Sequence, residues 1–135
     1  MSADFLEKYA VRRTAPEAAV PEEVEATDDL GCFGWLRGIR DRAVMLELRK
    51  KTGNIVAIGY GWIERVEFDP SEGIALCALG QKVRIRGRNL NAEARPMVRL
   101  FEGITRHRVP WVQEAAGQEL LESGRAAIVI ESIEW

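Results

Sequence analysis

The sequence is short of nearly everything a small catalytic protein uses. Its 135 residues contain one histidine and two cysteines. The histidine, His107, lies between Arg106 and Arg108 with no serine or cysteine partner at motif distance, so it reads as a plain helix residue. Cys32 and Cys77 form no CxxC, and no cysteine–histidine cluster supplies the four ligands of a zinc site. No metal and no cofactor is expected. "GYGWIE" (59–64) is a broken GxGxxG inside a strand pattern, whereas a phosphate loop needs a strand-to-helix junction. Acids are plentiful, but no flanking motif singles out two of them as an acid/base pair. These absences point away from an enzyme; an enzyme using a pocket between sheet and helix with His107 is the least favoured alternative, and no catalytic residue is named.

Long apolar runs are missing too. None approaches the ~18 residues of a membrane span. The N-terminus "MSADFLEKYAVRRT" carries early acids and no apolar h-region, so it does not read as a secretory signal. No membrane is expected as a partner. Two lone thiols without an export signal fit a reducing, cytoplasmic setting.

What is present is uneven charge. Residues 1–29 hold eight acids against three bases, a balance of −5 within a net charge of −2. Residues 80–110 hold eight bases against Glu93 and Glu102, a balance of +6. Such asymmetry marks either a polyanion site with an acidic tail or a device for solubility. Residues 4–13 have the spacing of a short helix. "TAPEAAVPEEVEATDD" (14–29) has two prolines, many acids and no aromatic residue, the composition of a linker. The expectation is a flexible acidic arm over 1–29 and one globular domain over 30–135.

Within that domain, "LGCFGWLRGIRDR" (30–42) predicts a turn or short helical segment. "AVMLELRKK" has Val44, Leu46 and Leu48 alternating with Met45, Glu47 and Arg49, a half-buried strand. After the turn "TGN" comes "IVAIGYGWIERVEF", long and β-rich, with Gly59 and Gly61 marking a bulge or strong bend. "IALCAL" and "KVRIRGRNL" add two strands joined by a Gly80–Gln81 turn. Four strands with short connections over 43–90 imply antiparallel neighbours. The period then changes: Met97, Leu100, Phe101 and Ile104 make one helical stripe, with Pro96 in its first turn and Pro110 beyond its end. A second helix is predicted over "VQEAAGQELLES" (112–123). The final strand, 126–134, places Ile128 and Ile130 on one face and Val129 and Glu131 on the other. The fold class is α+β: a bent antiparallel sheet or small barrel with one or two C-terminal helices and a final strand.

The candidate site is the strand "QKVRIRGRNLN" (81–91). Period two puts Lys82, Arg84, Arg86 and Arg88 on one face and turns Val83 and Ile85 to the core. The row needs counter-charge, either from Glu64, Glu67 or the acidic arm or from a bound phosphate, which arginines chelate in bidentate fashion. Four tryptophans (Trp35, Trp62, Trp111, Trp135) are core residues, stacking platforms or interface anchors.

"IRGRNL" (85–90) resembles the second signature motif of the Sm/LSm small-barrel family, an aliphatic residue followed by Arg-Gly-x-Asn-aliphatic. "VMLELRKKTGN…FDPSEG" is similar in layout to that family's first motif, ending at Phe68-Asp69. The resemblance spans 43–90 and implies an SH3-like or Sm-like barrel that assembles into rings. It also implies RNA binding through Arg86, Gly87 and Asn89, with Asp69 supporting the loop. Glu72 departs from it, standing where the family has asparagine. Gly61 comes two positions early. Two functions therefore stand side by side. One is a non-catalytic binding and assembly module that homo-oligomerises or meets a protein partner through edge strands. The other is nucleic-acid or anion binding through Lys82, Arg84, Arg86, Gly87, Arg88 and Asn89.

Overall fold

Alternating apolar residues over 43–90 do fold as a run of antiparallel strands, interrupted where the glycines predict a bend. The computed structural model describes residues 27–117 and 127–135. Strand β3 (Met45–Arg49) turns through Thr52-Gly53 into β4 (Ile55–Gly59). A 3-10 turn, Tyr60–Trp62, then redirects the chain into β5 (Ile63–Asp69). β6 (Gly73–Ala78) and β7 (Gln81–Arg88) follow as hairpins. The β6–β7 turn is centred on Leu79 and Gly80, both at positive φ, a conformation that matches the right-handed twist of the strands it joins.

The earlier segments form a two-stranded unit, β1 (Thr27–Asp29) with β2 (Gly34–Leu36). Thr27–Asp29 thus belong to a strand, at the end of the expected arm; the rest of that arm and its predicted helix lie outside the described residues. The segment 30–42 supplies strand β2 and turns, with no helix.

The helical prediction beyond Asn91 is the main correction. The helix α1 covers only Leu100–Thr105. Before it stand two short strands, β8 (Glu93–Arg95) and β9 (Val98–Arg99), joined by a turn that contains Pro96 and Met97. Pro96 has no N–H to give a helix, and Met97 takes φ +71°, so neither sits in a first helical turn. Gly103 is kept for packing: a Cβ there would meet the Trp35 ring at 2.5 Å. Val112 and Gln113, expected at the start of a second helix, lie instead in strand β10 (Trp111–Gln113), parallel to β3. Residues 118–123 of that prediction lie outside the described residues.

The final strand, β11 (Val129–Glu134), docks on β7 as expected. A bulge between Ile130 and Ser132 breaks its alternation, so Ile130 and Ile133, three residues apart, both face the core opposite Gly87 and Ile85; Val129, opposite Arg88, is buried on the other face. Two larger sheets result, ordered β10-β3-β4 and β11-β7-β6-β5. Their facing sides enclose one core built on Phe33, Leu46, Leu48, Ile74, Leu76, Ile85, Leu100 and Ile130. The fold is sheet-rich α+β, and its ladders do not close into a barrel. The covalent bend at Tyr60–Trp62 joins the sheets on one side. On the other, Ala115 N–H donates to the Ile130 carbonyl at 2.8 Å.

Glu114 completes that second junction. It is the buried charged side chain of the core, 6 % exposed. Its carboxylate accepts from Lys51 N–H at 2.9 Å and from Ile133 N–H at 2.6 Å. One side chain thus ties the β3–β4 turn to β11. A buried carboxylate is tolerable only with such donors, because desolvation otherwise opposes its charge. Tyr60 is the other polar group built into the core. Its hydroxyl donates to the Val109 carbonyl at 2.5 Å, and burial raises its pKa well above the ordinary phenol value.

Candidate functional site

The basic strand lies where its alternation puts it. Val83 and Ile85 are buried, and Ile85 pairs with Ile74 on β6. Arg84, Arg86 and Arg88 point to the opposite face, half-buried, while Lys82 is exposed near the hairpin end. Acids lie across from the arginines. Arg84 Nη1 lies 2.5 Å from Glu72 Oε1, and Arg86 Nη2 is 3.5 Å from the same oxygen. Arg86 Nε also reaches Glu134 at 3.3 Å, and Arg88 Nε reaches Glu131 at 3.5 Å. β11 brings two of these three glutamates, because its register sets Glu134 against Arg84 and Val129 against Arg88. Neither Glu64 nor Glu67 serves as the partner; Glu67 pairs with Arg65 on its own strand. Exposed pairs of this kind add little stability, but they cancel the field of the row.

The Arg-Gly-x-Asn corner has structural employment. A Cβ on Gly87 would stand 1.9 Å from the Val129 carbonyl oxygen. Only glycine admits β11 so closely at its bulge. Asn89, at φ +57°, donates from Nδ2 to the Ala127 carbonyl at 2.8 Å. Asp69 caps the β5–β6 turn: its Oδ1 accepts from Ser71 Oγ at 2.7 Å, from Ser71 N–H at 2.8 Å and from Glu72 N–H at 3.1 Å. Those hydrogen bonds, the hydroxyl's first, hold its pKa below the ordinary carboxylate value. The turn then places Glu72 over Arg84 and Arg86. The two motif loops do meet: Phe68, Pro70 and Gly73 from the first share a cavity of 300 Å³ with Gly87 and Asn89 from the second.

His107 takes φ +60° and stacks on Tyr60 with ring centroids 4.5 Å apart. Its carbonyl accepts from Ala43 N–H at 2.7 Å. It sits in the turn after α1, where it helps close that end of the core. Among the described residues, no group of three or more His, Cys, Asp and Glu side chains is placed to hold a metal ion. Cys32 and Cys77 form no disulfide with each other.

The tryptophans divide. Trp35 is buried, and Arg108 lies over its ring at 5.5 Å. Trp111 is half-buried under Arg49, and Trp135 carries Lys50. Trp62 differs: it is 60 % exposed and lines a groove.

That groove was not legible as a site in the strand pattern. It has a volume of 480 Å³ and runs between β4 and the end of the β6–β7 hairpin. Its walls are Met45, Val56, Ala57, Ile58 and Trp62 on one side and Ala78, Leu79, Gln81 and Val83 on the other. The 3-10 turn creates it. Ile63 and Ala78 make the last β5–β6 pair; beyond them the chain swings away with Tyr60–Trp62, and among the described residues the hairpin end has no strand opposite. β4 pairs with β3 alone, so its outer edge is unpaired in the described ladders. No lining side chain is charged. The available signal was a negative one: "TGNIVAIGYGWI" (52–63) contains no charged residue, in a chain where 30 % are charged.

No known protein family, curated protein or solved structure matches this chain.

Proposed function

We propose that this chain is a non-catalytic binding and assembly module, and that its assembly face is the groove beside β4. The occupant is β4 of a second copy. One observation carries the reading: an uncharged, unpaired strand edge borders an apolar groove. Edge strands are usually guarded by lysine, proline or a bulge. Ile55–Gly59 has none of these. Two such edges are mutually complementary, since an uncharged strand desolvates its own kind without stranding a charge. Antiparallel β4–β4 pairing about a two-fold axis satisfies both backbone edges and buries Val56, Trp62 and Leu79.

A cysteine at the centre of β4 tests that geometry. In the Ala57→Cys protein, mild oxidation is expected to give a covalent dimer, and Ala57→Cys combined with Val56→Lys is expected to stay monomeric. An Ala57→Cys protein that forms no covalent dimer while remaining dimeric by mass would move the interface to another face.

Nucleic-acid binding at the Arg-Gly-x-Asn corner is the second reading, supported by the cavity that joins the two motif loops. The glutamates facing Lys82–Arg88 count against it, because a polyanion must displace Glu72, Glu131 and Glu134 to reach the arginines. Affinity for single-stranded RNA that falls steeply with salt and with Arg86→Ala would support this reading. A cytoplasmic setting belongs to both readings. Among the described residues, no helix is long and apolar enough to cross a membrane.

A further inference from the structure

The acids that neutralise β7 leave uncompensated positive charge elsewhere. Eight of the twelve described arginines have a carboxylate within ion-pair reach. Among the described residues, the four without one are Arg40, Arg42, Arg106 and Arg108. They converge from two distant segments. Arg42, Arg106 and Arg108 line one cavity of 280 Å³, together with Ile39 and Met97, and Arg40 is in the same turn as Ile39. Arg108 gives its guanidinium to the carbonyls of Leu36, Gly38, Ile39 and Asp41. Those bonds fix the 36–41 loop while leaving the charge uncancelled. The acids nearby are Glu102, in the same cavity, Asp41, packed beside Gly38, and Glu93, which accepts from Met97 N–H. Glu93 is matched by Arg99, which leaves two carboxylates against four guanidinium groups.

The apolar residues of this surface are its most exposed. Ile39 is 88 % exposed and Met97 81 %. Each sits in a turn, and each turn is held rigidly: the first by Arg108, the second by the β8–β9 pairing and by Met97 N–H donating to Glu93. Two aliphatic tips inside a ring of arginines fit one chemistry well. The tips enter the boundary between headgroups and acyl chains, while the arginines meet lipid phosphates and carboxylates. A nucleic acid fits less well, because base stacking needs an exposed aromatic face. The tryptophan of this cavity, Trp35, is buried with Arg108 over its ring.

We propose that the turn carrying Ile39 and the turn carrying Met97, with Arg40, Arg42 and Arg106, form a docking surface for an anionic lipid membrane. The absence of a long apolar run argues against a spanning segment only; a protein that lies on a bilayer needs none. The surface shares no residue with the groove beside β4, so the two proposals stand or fall separately.

Co-sedimentation of the full chain with lipid vesicles tests it. We expect binding to phosphatidylcholine–phosphatidylserine vesicles and none to pure phosphatidylcholine, weakening as salt rises. Arg42→Ala and Arg106→Ala are each expected to lower affinity about fivefold. Ile39→Ser and Met97→Ser are each expected to lower it by about fivefold or more at unchanged charge. Arg84→Ala, on β7, should leave it unchanged. Because Ile39 and Met97 are exposed, their substitution removes no packing, and far-UV circular dichroism is expected to match the parent. In the Ile39→Trp protein, the added indole's emission should shift to the blue on vesicle addition. The proposal is overturned by failure to bind the anionic vesicles, by binding that ignores the Ile39→Ser, Met97→Ser double variant, or by an unshifted emission. Single-stranded RNA bound through Arg42 and Arg106, with vesicles left free, would also overturn it and make the surface a nucleic-acid site.

Discussion

Glu72 reaches from the β5–β6 turn to Arg84 on β7, with Oε1 and Nη1 2.5 Å apart. The residue that departs from the Sm-like pattern is thus one of the three glutamates that neutralise the cationic strand. Removing its charge releases the Arg84 guanidinium and takes one of two carboxylates from Arg86, which shares the same oxygen but keeps Glu134. Glu72→Gln is therefore expected to raise affinity for a labelled single-stranded RNA. The slope of log affinity against log salt should steepen by about one to two. Fluorescence anisotropy across a salt series measures both; an unchanged slope would mean that the arginines are not the limiting contact.

Glu114 is the most consequential buried polar group. Glu114→Ala strands the amides of Lys51 and Ile133 in the interior and leaves a void between the sheets. A loss of about 3 kcal/mol is expected, within the range for buried bonds to a charged group. Glu114→Gln keeps the shape and one acceptor, so it should lose less. Urea midpoints for the three proteins would check the ranking.

Gly87 admits the β11 backbone. Gly87→Ala forces its methyl against the Val129 carbonyl, and the cost should be about 1–3 kcal/mol or more. The damage should be local. Hydrogen exchange is expected to accelerate in Val129–Glu134 and in the outer half of β7 before it does in β5 and β6.

Acid should loosen β1–β2 and the β5–β6 turn. Asp28 accepts from Arg37 Nη2 at 2.7 Å and from Arg95 Nη2 at 2.5 Å, and those bonds hold its pKa below the ordinary value. Asp69 is lowered by Ser71 and Glu72. A carboxyl whose folded pKa is depressed contributes stability that is present above its unfolded pKa and lost as pH falls through the folded one. Stability should therefore decline as pH drops below about 4. In Asp28→Asn that decline should be shallower, as read from urea midpoints over the acid range.

The parts of the fold that were legible in the sequence rest on local periodicity. Leu46, Leu48, Val83 and Ile85 alternate in sequence and are buried in the structure. Of the two glycines that suggest a bend, Gly59 precedes it and Gly61 lies within it. Where reading failed, a non-local partner decided the outcome. Met97, Leu100, Phe101 and Ile104 have helical spacing, but Pro96 and the pairing of β8 with β9 take Met97 out of the helix. Trp111–Gln113 becomes a strand because β3 offers it an edge. The β11 bulge exists because Gly87 leaves room for it. Two of the three counter-charges of the basic strand come from Glu131 and Glu134, more than 40 residues further along the chain, and periodicity is blind to such pairing. Nor does it register the groove beside β4, which depends on where the chain swings away from β6.

The central claim is that β4 is an assembly edge. Size-exclusion chromatography with light scattering measures it directly. The wild-type protein is expected to elute at twice the mass of one chain and to dissociate on dilution. Val56→Lys, which places a charge in the groove wall, is expected to elute at the mass of one chain with an unchanged circular dichroism spectrum. A wild-type protein that is monomeric at every concentration, or a Val56→Lys protein that stays dimeric, would contradict the account.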